Sequence, residues 1–153
     1  NHSLTKIKQS DFRMITRNIL IIEDDTGIQA VTKFSLEMDG HWQVTTANCG
    51  EEGLLKAKTI NPDVILLDLI LPDMGGLETI ERLNDDNTSS NIPIILFTAK
   101  LLAGEIQEFN NNNVVGLIAK PFDCLTLSEQ ILNILKKKTN LVKNCRSLNY
   151  CLN

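Results

Sequence analysis

Short apolar runs alternate with stretches of helical periodicity along most of the chain. The runs are rich in Val, Ile and Leu, as expected of strands buried on both faces of a sheet, and the second run alternates in a β-branched pattern. The five predicted strands are Asn18 to Ile22, Trp42 to Ala47, Val64 to Leu67, Pro93 to Phe97 and Val114 to Ile118.

Between and after these runs, apolar residues recur at intervals of three and four, which predicts five helices. The first should stop at Asp39-Gly40. The predicted helices are marked by Ile28, Val31, Phe34 and Met38; by Glu51 to Thr59, with Leu54, Leu55 and Ala57 facing the core; by Leu77, Ile80 and Leu83; by residues 101 to 109; and by Phe122 to Lys138, with Leu125, Leu127, Ile131, Ile134 and Leu135 on the apolar side.

Five strands alternating with five helices predict an α/β fold, in which a parallel sheet is covered by helices on both faces. The 153 residues suit one domain, expected over residues 18–138. Residues 1–17 are interpreted as an N-terminal extension, partly ordered or introduced in cloning. Residues 139–153 are interpreted as a C-terminal tail or the start of a linker.

The composition narrows the classes of partner and compartment. A net charge of −4 and a pI near 5.1 disfavour nucleic-acid binding. There is no apolar run of roughly 20 residues and no signal-peptide core, so neither membrane insertion nor export is expected. The four cysteines are scattered, which favours free thiols in a reducing compartment, and we expect a cytoplasmic protein.

Polar residues follow four of the five predicted strands. Glu23-Asp24-Asp25 follows the first, Asp68 the third, Thr98 the fourth and Lys120 the fifth. The carboxyl ends of parallel strands meet at one rim, where ligands bind. Two carboxylates about 4 Å apart repel by about 4 kcal/mol at an effective dielectric of 20, and a cation relieves that repulsion. We therefore expect Mg²⁺ at Asp24 and Asp68.

A carboxylate beside a lysine, a hydroxyl and Mg²⁺ is equipped for phosphoryl transfer, because such transfer depends on positioning and on stabilising negative charge. Asp68 would be the nucleophile. The Lys120 ammonium and the Thr98 hydroxyl would each contact a phosphoryl oxygen.

The runs ILIIEDD and VILLDLILPDMGG, with the pairs Thr98-Ala99 and Lys120-Pro121, resemble the receiver domains of two-component response regulators in order and spacing. The resemblance covers residues 18–138. It implies a flavodoxin-like, doubly wound sheet of five parallel strands in the order 2-1-3-4-5 with five helices, as in chemotaxis regulators. It also implies a signalling domain rather than an enzyme.

The same resemblance assigns roles to individual residues. It makes Asp68 the phosphoacceptor, Asp24 a direct ligand of Mg²⁺ or Mn²⁺, and Glu23 a ligand acting through water. The backbone carbonyl of Ile70 would be a further ligand. The resemblance makes Thr98 the switch hydroxyl and Lys120 the phosphate-binding lysine. It also implies a cis peptide bond between Lys120 and Pro121.

The resemblance implies a phosphodonor that is a histidine kinase or a histidine phosphotransfer protein. The output would pass through the face made by the fourth helix, fifth strand and fifth helix, and a homodimer through that face is one option. Leu117 stands where many relatives carry an aromatic switch residue, so the switch is expected to be muted or to work by a backbone shift. Ile70 and Lys100 occupy the positions that tune dephosphorylation, and they predict slow autodephosphorylation.

Two other function classes remain open at this point. A receiver-like interaction module that is never phosphorylated would keep the fold, although the set of Asp24, Asp68, Thr98 and Lys120 argues against it. A flavodoxin-like cofactor binder or a metal-dependent phosphatase is the third class. The chain shows neither a Gly-rich loop after the first strand nor a second aspartate two residues after Asp68.

Overall fold

The computed structural model describes residues 16–38, 40–99 and 113–138. The described strands form one parallel sheet in the order β2-β1-β3-β4-β5, which confirms the predicted fold class. The strands are β1 (Arg17–Ile22), β2 (Trp42–Ala47), β3 (Val64–Leu67), β4 (Ile94–Thr98) and β5 (Val114–Ala119).

Four helices lie within the described ranges. They are α1 (Thr26–Glu37), α2 (Gly50–Ile60), α3 (Gly76–Asp85) and a last helix over residues 127–138. The predicted fourth helix, at residues 101–109, lies outside the described residues, as do Lys100, most of the predicted N-terminal extension and the predicted tail. The last helix begins five residues later than its predicted start at Phe122.

The central strands are buried on both faces, because successive side chains of a strand point to opposite sides of the sheet. In β1, Ile19 and Ile21 join one core cluster while Leu20 and Ile22 join the other. The first cluster includes residues of α1 and of the last helix, and the second includes residues of α2 and α3. The sheet is therefore covered on both sides, and its central strands tolerate only apolar side chains.

Several apolar residues in and next to the helices are exposed, although helical spacing predicts that some of them face the core. Leu55 was predicted to face the core and is 62% exposed, and Leu125 was predicted on the apolar side of the last helix but precedes that helix and is 84% exposed. Both predictions were wrong. On α1 the apolar Phe34 and Met38 are 69% and 61% exposed. Helical spacing predicts a helix, but the neighbouring elements decide which of its faces is covered.

The loop between β3 and α3 is held against the rest of the domain at several points. Asp73 accepts hydrogen bonds from the backbone N–H groups of Gly50 and Glu51, both at 2.8 Å, and these donors hold the pKa of Asp73 below its ordinary value. Gly76 N donates to the Leu69 carbonyl at 3.1 Å. This loop follows Asp68 directly, so its anchoring also fixes the chain that leaves the rim.

A side chain at position 76 should destabilise the domain. An added Cβ would lie 2.9 Å from Leu69 Cα, which is backbone and cannot move aside cheaply. We expect Gly76→Ala to lower the free energy of unfolding by about 1–3 kcal/mol, the usual cost of overpacking. Urea unfolding followed by the fluorescence of the single tryptophan, the buried Trp42, measures this loss.

The adjacent Gly75 supplies a matched control. It has no atom within 4 Å of an added Cβ, and its φ of −69° suits any residue. Gly75→Ser places a preferred N-cap residue at the start of α3, so it should leave stability unchanged or slightly raised. Equal losses for the two variants would contradict the packing explanation.

Candidate functional site

The backbone hydrogen bonds of the sheet continue one residue beyond the strands, at the carboxyl rim where the predicted site residues lie. Glu23 N donates to the Ala47 carbonyl, Asp68 N to the Ile22 carbonyl and Lys120 N to the Thr98 carbonyl, each at 3.0 Å. The backbone of each residue is therefore fixed as firmly as the strand before it. The three side chains start from neighbouring positions on one edge.

Three carboxylates meet at this edge. Glu23, Asp24 and Asp68 each offer an oxygen, and these oxygens all lie within 4.8 Å of one another. Glu23 and Asp68 are buried, while Asp24 is exposed. The cluster thus combines two carboxylates withdrawn from water with one at the surface.

Lys120 neutralises only part of this charge. Its Nζ lies 2.6 Å from Glu23 Oε2 and 3.2 Å from Asp68 Oδ2, and 4.9 Å from the centre of the Phe97 ring. The Lys120–Pro121 peptide bond is cis, as predicted. Among the described residues of the rim, one ammonium group accompanies three carboxylates, which leaves a net negative charge whenever all three acids are ionised.

The pKa of Glu23 reflects this crowding. Burial of its carboxyl group is the largest cause that raises the pKa, to about 7 from the ordinary 4.5, and Asp68 raises it further through a hydrogen bond and charge repulsion. Lys120 acts in the opposite direction. The Glu23 carboxyl group is thus partly protonated near neutral pH.

Thr98 adds a hydroxyl whose bonding capacity is unused. It ends β4, between the strands that carry Asp68 and Lys120, and its Oγ1 is buried without a hydrogen-bond partner among the described residues. A buried polar atom left unpaired costs about 1–3 kcal/mol, so it calls for an explanation such as a ligand. The position of Thr98 makes a bound anion at the rim a natural partner.

Two predicted tuning residues are described, and both are partly or largely exposed. Ile70 N donates to Asp68 Oδ1 at 3.1 Å, while its side chain is largely exposed. Leu117, on β5 opposite Leu96 of β4, is also exposed in part. The main chain of Ile70 therefore orients the Asp68 carboxylate, while its apolar side chain is exposed.

Asp25, the third acid after β1, caps α1 instead of joining the carboxylate cluster. Its Oδ1 accepts from Ile28 N at 3.0 Å, and its own N–H donates to Glu23 Oε1 at 3.3 Å. Gln29 was not predicted to contact the rim, yet its buried side-chain amide donates to the backbone carbonyl of Glu23. A glutamine in a helix gives no sequence signal of burial, so only the packing shows this contact.

A largely apolar cavity of about 510 Å³ opens beside Lys120. Ile28 and Val31 of α1 line one side, and Pro121, Phe122 and Cys124 line the other. The apolar surface of α1 therefore continues to the edge of the charged site.

The donor set fits a divalent cation with a preference for oxygen. Three carboxylates within reach of one another supply hard, anionic ligands, and one of them is open to water. Mg²⁺ binds through one or two carboxylates and retains several waters, so a partly open acidic cluster suits it. Within the described part of the rim, Lys120 balances only part of this negative charge, and the remainder would attract such an ion.

The sequence model of one protein family, the response regulator receiver domain, matches residues 19–132. The chain belongs to this family. Receiver domains are the phosphoaccepting signalling modules of two-component systems, and the matched range contains all the rim residues described above. No helix within the described ranges is long and apolar enough to span a membrane.

Curated relatives agree with this assignment. The chain is 33% identical over 121 residues to hybrid signal transduction histidine kinase D of Dictyostelium discoideum, covering 78% of this chain and 8% of that protein. It is 32% identical over 130 residues to the alkaline phosphatase synthesis transcriptional regulatory protein PhoP of Bacillus subtilis, covering 80% and 50%. It is 30% identical over 121 residues to the polar-differentiation response regulator DivK of Brucella suis, covering 79% and 98%. The chain thus spans half or less of two of these relatives and nearly all of the third.

Solved structures show the same fold. A CheY-like response regulator receiver domain protein from Methanospirillum hungatei superposes with a TM-score of 0.72 at 30% identity, covering 82% of this chain and 98% of that one. The chemotaxis protein CheY4 of Vibrio cholerae gives a TM-score of 0.72 at 27% identity, covering 78% and 98%.

Removing one carboxylate should stabilise the domain when no divalent cation is present. Asp68→Asn keeps the size of the side chain but abolishes its repulsion of Glu23 and Asp24, and Lys120 still pairs with Glu23. Because a lost charge-assisted bond offsets part of the relief, we expect a gain of about 1–2 kcal/mol in the free energy of unfolding. Urea unfolding in the presence of a chelator measures it.

The stability gained by Asp68→Asn should also depend on pH. An acid whose pKa is higher in the folded than in the unfolded chain stabilises the fold only while it is protonated. The contribution of Glu23 to the free energy of unfolding is therefore lost as pH rises from 4.5 to about 7. Less of that free energy should be lost in Asp68→Asn, because Asp68 raises the pKa of Glu23. Asp85→Asn, on the exposed side of α3, serves as a control and should behave like the wild type. A destabilised Asp68→Asn would contradict the charge-crowding explanation.

Proposed function

We propose that this receiver domain accepts a phosphoryl group on Asp68, in a Mg²⁺-dependent reaction, from a histidine kinase or a histidine phosphotransfer protein. The observation that carries the proposal is the position of the Asp68 carboxylate. It is buried at the end of β3, within 4.8 Å of two other carboxylate oxygens and 3.2 Å from the Lys120 ammonium.

Asp68 is oriented for nucleophilic attack by two donors. Ile70 N–H holds Oδ1, and the Lys120 ammonium holds Oδ2. A carboxylate oxygen forms the new bond to phosphorus as the bond from phosphorus to the donor's histidine nitrogen breaks, and that nitrogen keeps the electron pair. The product is an acyl phosphate on Asp68 and a free imidazole on the donor.

The metal would be held by Asp24, Asp68 and the backbone carbonyl of Ile70, with Glu23 acting through water. When bound, Mg²⁺ would supply positive charge to neutralise the carboxylates and the phosphoryl oxygens. It would also offset the charge repulsion by Asp68, which adds to burial in raising the pKa of Glu23.

Lys120 and Thr98 supply the remaining contacts to the phosphoryl group. The Lys120 ammonium already lies between Glu23 and Asp68, so a phosphoryl oxygen on Asp68 comes within its reach. The Thr98 hydroxyl, which has no hydrogen-bond partner among the described residues, would donate to a second oxygen. That hydrogen bond couples phosphorylation to the end of β4, and we propose Thr98 as the switch residue.

The entrance of the site supports docking of a protein phosphodonor. Val31 and Phe34 are exposed apolar residues of α1, and Val31 lines the cavity beside Lys120. A partner that delivers a phosphohistidine to Asp68 would cover this apolar surface. The output face predicted on the fourth helix, β5 and the fifth helix remains a proposal, as does a homodimer through it.

The domain boundaries and the compartment are likewise proposals. The match over residues 19–132 is compatible with a receiver domain over residues 18–138. Cys49 and Cys124 are free thiols among the described residues, which is compatible with a cytoplasmic location.

Phosphorylation of Asp68 is tested with acetyl phosphate and Mg²⁺, followed by intact mass. We expect the wild type to gain one phosphoryl group, and Asp68→Asn to gain none because its amide is not a nucleophile. Asp85→Asn should be modified like the wild type. Omission of Mg²⁺ should prevent the modification.

The same experiment distinguishes a phosphorylated receiver domain from a receiver-like module that is never phosphorylated. An unmodified wild type that also fails to bind Mg²⁺ would favour a receiver-like module that acts only through protein contacts. Modification that persists in Asp68→Asn would place the acceptor elsewhere.

Autodephosphorylation should be slow. The side chain of Ile70 is apolar and cannot orient an attacking water, and Lys100, outside the described residues, is predicted to shield the phosphoryl group. Ile70→Asn supplies hydrogen-bonding groups, so it should shorten the acyl-phosphate half-life several-fold. The decay of the phosphorylated mass after removal of acetyl phosphate measures this.

Leu55→Asn, an equivalent change on the exposed side of α2, should decay like the wild type. A wild-type half-life of seconds would contradict the expected slow decay.

A further inference from the structure

The inward face of α1 is unusually polar. Gln29, Thr32 and Ser35 are all buried there. Thr32 Oγ1 and Ser35 Oγ donate to carbonyls one turn earlier in the same helix, those of Ile28 at 2.6 Å and Val31 at 2.8 Å. These two hydroxyls therefore form their hydrogen bonds within the helix and not with the rim. Gln29 instead forms its hydrogen bonds outside the helix.

The side-chain amide of Gln29 leaves its helix and reaches the ends of two strands. Its Nε2 donates to the backbone carbonyl of Glu23 and to Asn48 Oδ1 at 2.7 Å, and it lies 3.4 Å from the Ala47 carbonyl. Glu23 N donates to that same Ala47 carbonyl at 3.0 Å. Gln29 thus closes the hydrogen-bond ladder of β1 and β2 where the strands stop.

The Glu23 carbonyl belongs to the peptide that joins two of the acidic residues. A peptide unit is planar, so a bond that fixes the carbonyl of Glu23 also fixes the direction in which Asp24 leaves. The Glu23 carboxylate itself is held by Lys120 at 2.6 Å and by Asp25 N at 3.3 Å. The backbone and the side chain at this point of the rim are therefore oriented by separate groups.

We propose that Gln29 is a positioning residue of the divalent cation site. It holds the Glu23–Asp24 peptide in the orientation that brings both carboxylates to Asp68, and it acts through this peptide rather than through contact with the cation or the phosphoryl group. This role rests on the proposed metal-dependent function. It makes cation affinity depend on a residue of α1 that carries no charge.

The decisive variant is Gln29→Met, which keeps the length and much of the volume of the side chain but removes the donor. Without this bond the Glu23 carbonyl loses the donor that orients the Glu23–Asp24 peptide, so the common orientation of the two carboxylates is weakened. We expect the dissociation constant for Mg²⁺ to rise about ten-fold or more, as when other groups that orient metal ligands are removed. Two measurements that do not depend on phosphorylation report this loss of cation affinity. They are the Mg²⁺-dependent rise in the midpoint of unfolding and the water-proton relaxation of bound Mn²⁺.

Thr32→Val is the matched control. It lies on the same buried face of the same helix, is nearly isosteric, and loses a hydroxyl whose bond stays within the helix. We expect it to lower stability while leaving the Mg²⁺ dissociation constant within about two-fold of the wild type. A loss of cation affinity equal to that of Gln29→Met would show that general weakening of α1 explains both.

Gln29→Asn provides a second test that retains a polar group and decides the question should Gln29→Met not fold. It draws the amide back by one methylene, away from the Glu23 carbonyl, so it should also weaken Mg²⁺ binding. Folded Gln29 variants that bind Mg²⁺ like the wild type would overturn the role of Gln29. A wild type without saturable Mg²⁺ binding would instead overturn the proposed function itself.

Discussion

One lysine among three carboxylates is the constraint around which the rim of this sheet is built. Lys120 pairs with Glu23 and Asp68, while Asp24 remains open to solvent. Withdrawing carboxyl groups from water is costly, and burial is the main cause that raises the pKa of Glu23 to about 7, with the neighbouring Asp68 raising it further. The core formed by the sheet and its covering helices must supply the stability that offsets this cost. The same negative charge would attract a divalent cation to the cluster.

The rim tolerates this crowding because its backbone is held from several sides. Hydrogen bonds of the sheet continue one residue past the strands at Glu23, Asp68 and Lys120. Asp73 ties the loop after Asp68 to the start of α2, and Gln29 ties the acidic peptide after β1 to α1. Charged side chains with little freedom to move apart remain oriented toward a shared ligand, which is the preorganisation that phosphoryl transfer requires.

The surface around the rim divides into a charged centre and an apolar border. Val31 and Phe34 are exposed apolar residues of α1, and Val31 also lines the apolar cavity beside Lys120. Exposed apolar groups of this size are typical of surfaces that bind other proteins. The arrangement therefore suits a domain whose phosphoryl group arrives on a protein partner.

The sequence by itself determined the strands, their buried character and the polar residues that follow them, because these depend on local periodicity and on the alternation of a parallel sheet. It also indicated the family, through motifs whose order matches that of receiver domains. Only the tertiary structure decided which faces of the helices are covered, so that Leu55 and Leu125 lie in solvent while Gln29 is buried. It also decided that the Thr98 hydroxyl has no partner among the described residues and that Lys120 bridges two acids. These features depend on contacts between residues far apart in the chain, and no local pattern encodes them.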